Sequence, residues 1–120
     1  DFDGTLCENK YPEIGKPNKT VIDALLLRQK DGAKIILWTC RCGKYLKAAV
    51  KWCKEHGIVF DAVNRNLPEM RKSFKNDSRK VFAREYWDDR AVNTNNFGNL
   101  QHINNNPAVY HCKDIDYSMG

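Results

Sequence analysis

The short run at residues 33–39 (AKIILWT) limits what this chain can fold into more than any other segment. Its four consecutive apolar residues, Ile35, Ile36, Leu37 and Trp38, alternate with nothing polar, and the run is too short for a core helix. It predicts a strand buried on both faces, the kind that parallel sheets contain. The flanking segments have a different period. Val21, Ile22, Leu25 and Leu26 recur at helical spacing, with Asn18 as a candidate N-cap and Gly32 just past the end. Leu46, Ala49, Val50 and Cys53 form a second such stripe, between about residues 44 and 56, and Gly57 closes it. Residues 58–63 (IVFDAV) are the next strand candidate, and residues 1–6 are expected to be the end of a strand turning into a glycine loop. Strands alternating with helices predict an α/β domain with a mostly parallel sheet and right-handed crossovers. Such sheets place their sites beyond the carboxyl ends of the strands, so the polar residues there carry the functional argument.

The remaining segments are less regular. Residues 7–17 (CENKYPEIGKP), polar and with two prolines, read as a loop; a short helix is expected at 69–76, and 81–83 and 86–87 are apolar islands. From Asn93 to Asn106, seven of fourteen residues are Asn, a composition with little capacity to build a core. The 120 residues therefore divide into an α/β domain over 1–92 and an Asn-rich C-terminal segment over 93–120. An apolar fraction of 42% and a charged fraction of 29% exclude collagen-like and fully disordered chains, and no run approaches the length of a bilayer helix.

Twenty basic residues against fifteen acidic give a net charge of +5. Much of the excess is local: Arg65, Arg71, Lys72, Lys75, Arg79, Lys80, Arg84 and Arg90 face only Glu69, Asp77, Glu85, Asp88 and Asp89. Such a stretch is either a solvated face or an attractor for phosphate groups and nucleic acid. Five cysteines, Cys7, Cys40, Cys42, Cys53 and Cys112, are an odd number with no disulfide framework, which suits a reducing cytoplasm. Cys40, Cys42, Cys53 and His56 superficially resemble a zinc set, but Cys53 falls on the helix stripe and the spacing fits no standard finger.

Three strand ends deliver polar groups: Asp1 and Asp3, Thr39, and Asp88 with Asp89. Phosphoryl transfer needs this inventory. One carboxylate attacks phosphorus, a second moves a proton to the leaving oxygen, and others hold Mg²⁺. A hydroxyl and a lysine then meet the equatorial phosphate oxygens. Asp1 and Asp3 point to opposite faces of an extended segment, so a tight turn at Gly4 is required to bring both to one site.

These residues resemble the haloacid dehalogenase-like phosphohydrolase superfamily. Asp1-Phe2-Asp3-Gly4-Thr5-Leu6 is similar to its first signature motif, Thr39 to the second, Lys80 to the third and Asp88-Asp89 to the fourth. CENKYPEIG, LWTCR, NDSRK and DDR resemble a small capless branch found in bacteria and phages. The resemblance covers about residues 1–92 and implies a Rossmann-like three-layer sandwich whose first strand is truncated, because an apolar strand precedes the first Asp in that family. It implies Asp1 as the nucleophile forming an aspartyl-phosphate and Asp3 as the acid/base. Thr39 and Lys80 would hold the phosphoryl group, with Lys72 and Lys75 competing for the lysine role. Asp1, Asp3 and Asp89, with Asp88 beside it, would bind Mg²⁺. Arg41 is a candidate substrate contact, and Arg90 either a structural partner for the aspartates or a substrate contact.

The expected activity is a Mg²⁺-dependent phosphatase acting on a phosphorylated substrate, with a nucleic-acid end or a phosphoprotein suited to a capless, open site. The alternative is a catalytically silent domain of the same family that binds a phosphorylated or nucleic-acid partner. The truncated start favours that alternative for this chain, which is then expected to be inactive or poorly folded. A zinc or thiol module built on Cys40 and Cys42 is the third reading.

Overall fold

The computed structural model describes residues 1–98. In chain order its elements are β1 (Cys7–Lys10), β2 (Glu13–Pro17), α1 (Lys19–Lys30), β3 (Ile36–Leu37), α2 (Gly43–Glu55), β4 (Ala62–Val63) and α3 (Pro68–Phe74), with a 3₁₀ turn at Thr94–Asn96. Residues 99–120, which hold most of the Asn-rich segment and Cys112, lie outside the described residues.

Both long helices stop in the same way. After α1, Gly32 (φ +94°) gives its N–H to Gln29 at 3.1 Å while Ala33 reaches back to Arg28 at 3.0 Å. After α2, Gly57 (φ +82°) donates to Lys54 at 3.0 Å and Ile58 to Cys53 at 2.9 Å. Each is a Schellman closure, which satisfies the last carbonyls and needs a left-handed residue that glycine supplies without strain. Ile58 then enters the core directly beside Cys53. That core joins Phe2, Leu6, Cys7, Ile22, Leu37, Ala49, Cys53 and Ile58, with Leu25, Leu26, Leu46, Val50 and Trp52 packed around it.

The expected Rossmann-like three-layer sandwich with a mostly parallel sheet does not form. The described residues contain two two-stranded sheets instead: the antiparallel hairpin β1–β2 and the parallel pair β3–β4. Three local features account for this. First, residues 2–6 close a tight turn, with Thr5 and Leu6 both donating to the Phe2 carbonyl at 3.2 and 2.9 Å, so the first segment contributes only a single bridge, Asp3 to Cys7. Second, the β3–β4 ladder pairs only Ile36 with Ala62 and Leu37 with Val63. Beyond it side chains take over, Asp61 accepting from Ile35 N at 2.8 Å and Asn64 from Thr39 N at 2.8 Å. Third, residues 81–86 direct backbone groups to side chains. Phe82 N donates to Asn66 Oδ1 at 2.7 Å and the Tyr86 hydroxyl to the Val81 carbonyl at 2.6 Å.

Burial follows suit. Ile35 and Leu37 are buried, Ile36 is half-buried and Trp38 exposed, so β3 covers one face rather than the two expected. The segment at 7–17 that reads as a loop is the β1–β2 hairpin, register-shifted between Cys7 and Asn9. No helix among the described residues is long and apolar enough to cross a membrane.

Candidate functional site

The turn after Asp1 organises the site. Gly4 adopts φ +87°, and a Cβ there would run into the carboxylate of Asp89, so glycine is required twice over. With that turn in place, the Thr5 hydroxyl donates to Asp1 Oδ2 at 3.0 Å and accepts from Asp89 N at 3.1 Å. The Asp1 nitrogen donates to the Trp87 carbonyl at 3.0 Å. Residues 1–5 and 87–89, which are 84 positions apart in the chain at the Thr5–Asp89 contact, thus form one unit.

Carboxylate oxygens of Asp1, Asp88 and Asp89 lie within 4.8 Å of one another. At that separation two like charges repel by about 3 kcal/mol at an effective dielectric of ~20. Asp88 Oδ1 accepts the Arg90 backbone N–H at 2.8 Å, so Arg90 meets this cluster through its main chain. The donor set is all oxygen and all anionic. That chemistry fits a hard divalent cation such as Mg²⁺ and does not suit soft metals. From the cluster a cavity of about 740 Å³ runs between β3 and residues 81–87, lined by Leu6, Leu37, Phe60, Val81 and Trp87 among others.

Asp3 faces a different partner. Arg41 grips it in a bidentate pair, Nε to Oδ2 at 2.7 Å and Nη2 to Oδ1 at 2.8 Å. The Arg41 side chain is 1% exposed and that of Asp3 17%. The other guanidinium donors go to backbone carbonyls: Nη1 to Pro12 at 3.2 Å and Tyr45 at 3.4 Å, and Nη2 to Glu13 at 2.9 Å. An arginine has five N–H groups, and here each has an acceptor. The guanidinium also stacks over Phe2 and Tyr11, 5.0 and 5.1 Å from their ring centres. Hydrogen bonding to Asp3 holds Arg41 above its ordinary range, against the desolvation that burial imposes. Arg41 therefore has no free donor for a substrate phosphate and instead ties Asp3, the hairpin turn and the first turn of α2 together.

The expected site residues consequently fall into three places. Asp1, Asp88 and Asp89 meet. Asp3 is paired with Arg41, and the Thr39 hydroxyl accepts the Arg41 backbone N–H at 3.2 Å. Lys80 is exposed, with its ammonium 5.7 Å from the Tyr86 ring centre, and borders a second depression. Cys53 is fully buried in the core while Cys40 and Cys42 are exposed, so these three thiols do not converge. Sequence reasoning missed Thr5, whose hydroxyl joins the two aspartate segments. Its place in the DFDGT run was the available signal. It also missed Asn66, buried and bonded to Asp77, Ser78 and Phe82.

No protein-family model matches the chain, and no curated protein does. A solved structure does: that of a conserved protein coded by a locus of Bacteroides thetaiotaomicron, with 34% sequence identity, a TM-score of 0.67, and 88% of each chain covered.

Proposed function

The chain belongs to the family of that conserved Bacteroides protein, and we propose that it is a Mg²⁺-dependent phosphohydrolase of the haloacid dehalogenase-like type. The observation that carries this reading is the Asp1–Asp88–Asp89 cluster cross-linked by Thr5. Thr5 engages Asp1 Oδ2, leaving Oδ1 as the attacking atom. Oδ1 forms a bond to phosphorus, the ester P–O bond breaks, and the leaving oxygen takes a proton from Asp3. Water then attacks the aspartyl-phosphate and gives its proton back to Asp3, releasing inorganic phosphate and regenerating the Asp1 carboxylate. Asp1, Asp88 and Asp89 would hold Mg²⁺, which supplies charge neutralisation for the phosphoryl oxygens. Both Asp3 oxygens are engaged by Arg41, so proton transfer requires Arg41 to release one of them.

That same pairing favours a second reading, a non-hydrolysing domain that binds a phosphorylated partner with Asp3 serving structure alone. Turnover of an aryl phosphate by the full chain with Mg²⁺, compared with Asp1→Asn, separates the two. The enzyme reading expects a loss of at least about a thousandfold in Asp1→Asn; equal rates, or no turnover by the wild type, sink it. A cytoplasmic setting is consistent with the free thiols Cys7, Cys40, Cys42 and Cys53.

A further inference from the structure

The basic stretch read from the sequence has a specific surface. Seven cations and two carboxylates lie between Arg65 and Arg84, an excess equal to the net charge of the whole chain. One of the two carboxylates, Asp77, is already engaged: it accepts from Asn66 N and Nδ2 at 3.1 and 2.9 Å and pairs with Arg71 at 3.5 Å. These contacts hold its carboxyl below the ordinary range, the Asn66 hydrogen bonds first. Lys72, Lys75, Arg79, Lys80 and Arg84 have no carboxylate partner among the described residues, and all are exposed.

Aromatic rings are interleaved with these charges. Phe74 is 63% exposed, Phe82 51% and Tyr86 45%. Phe74 and Phe82 stand edge to face with ring centres 6.3 Å apart, and with Lys80 and Tyr86 they border a depression of about 500 Å³. Phe74 ends α3, and the loop that follows it and carries Phe82 and Tyr86 is fixed by side-chain hydrogen bonds. Buried Asn66 bonds Asp77, the Ser78 carbonyl and Phe82 N, while Ser78 Oγ donates to the Lys80 carbonyl at 2.8 Å. Exposed rings at the end of α3 and on a preorganised loop, in a stretch rich in cations without carboxylate partners, offer π-faces to bases and positive charge to a backbone. Phe82 and Tyr86 also line the larger cavity that reaches Asp1 and Asp88.

We propose that the surface formed by Phe74, Phe82 and Tyr86 with Lys72, Lys75, Arg79 and Lys80 binds a single-stranded polynucleotide. This goes beyond the phosphohydrolase reading, because binding here needs no turnover at Asp1. The charge alone would suit any polyanion; the exposed rings favour a strand whose bases are unstacked over a duplex, a phosphopeptide or an anionic bilayer.

The test is fluorescence anisotropy of a labelled oligothymidylate of about a dozen nucleotides with hydroxyl ends, titrated with the full chain at several salt concentrations. Phe82→Leu and Phe74→Leu keep apolar bulk but remove the stacking face, and each is expected to weaken binding by about 5- to 150-fold. Lys72→Gln and Lys75→Gln are expected to lower the slope of log affinity against log salt by about 0.7 each. Melting midpoints are read alongside; the exposed lysine variants decide the matter if a Phe variant unfolds. Unchanged affinity in the Phe variants, equal binding of duplex DNA, or equal binding of a phosphopeptide or anionic phosphatidylserine vesicles overturns the proposal. Binding that persists in Asp1→Asn leaves it standing whatever becomes of the phosphatase activity.

Discussion

Replacing Arg41 with methionine removes the group around which the hairpin, Asp3 and α2 are joined. Three losses combine. The Asp3 carboxylate, with a side chain 17% exposed, is left without its counter-charge. The carbonyls of Pro12, Glu13 and Tyr45 lose their donor. The stacking over Phe2 and Tyr11 keeps only its apolar part. Breaking a buried ion pair from one side costs about 3–5 kcal/mol, and the carbonyls near the hairpin turn recover part of their loss from water. Urea unfolding followed by circular dichroism should therefore show a drop of about 3–5 kcal/mol, or more than about 12 °C in the melting midpoint for a domain of this size. Asp3→Asn in the same background removes the stranded charge, so the double variant should be less damaged than the two single effects added. A loss under about 1 kcal/mol, or strict additivity, would show that the pair behaves as an ordinary surface contact and refute the reasoning.

Other perturbations follow from single geometric facts. Gly4→Ala places a Cβ against the Asp89 carboxylate at a positive φ, and should lose at least about 1 kcal/mol of stability together with Mg²⁺-induced stabilisation; a variant that melts as the wild type and still responds to Mg²⁺ contradicts it. Burial pushes the Cys53 thiol from 9.0 up to about 12. A group raised in the fold contributes stability that is complete below its unfolded value and is lost as pH rises towards its folded value. Stability should thus decline between about pH 9 and pH 12, and Cys53→Ala should lower the whole curve but flatten that alkaline decline. Brief alkylation of the native chain followed by peptide mapping should label Cys40 and Cys42 and spare Cys7 and Cys53, which are buried.

The two long helices were legible because each has an apolar stripe bounded by a glycine, and Gly32 and Gly57 both proved to be Schellman residues. The hairpin was not, because Glu8, Asn9 and Lys10 all face solvent and leave no alternation to detect. The strands at 33–39 and 58–63 were read too long: Asp61 and Asn64 close the ladder with side chains, which the apolar pattern cannot reveal. At the site, the acidic pairs were visible as residue types, but their meeting depends on Thr5 and a turn that bring distant segments together. Arg41 carried the general preference of arginine for phosphate, yet its surroundings supply acceptors for every N–H, and no local pattern foretells them.

The central claim concerns Asp1 and is tested most directly by trapping. The 120-residue chain mixed with Mg²⁺ and an aryl phosphate, quenched in acid and digested, is expected to yield one phosphoryl group on the peptide that contains Asp1, and none in Asp1→Asn. Turnover of the substrate without that adduct, or an adduct that survives in Asp1→Asn, would contradict the account.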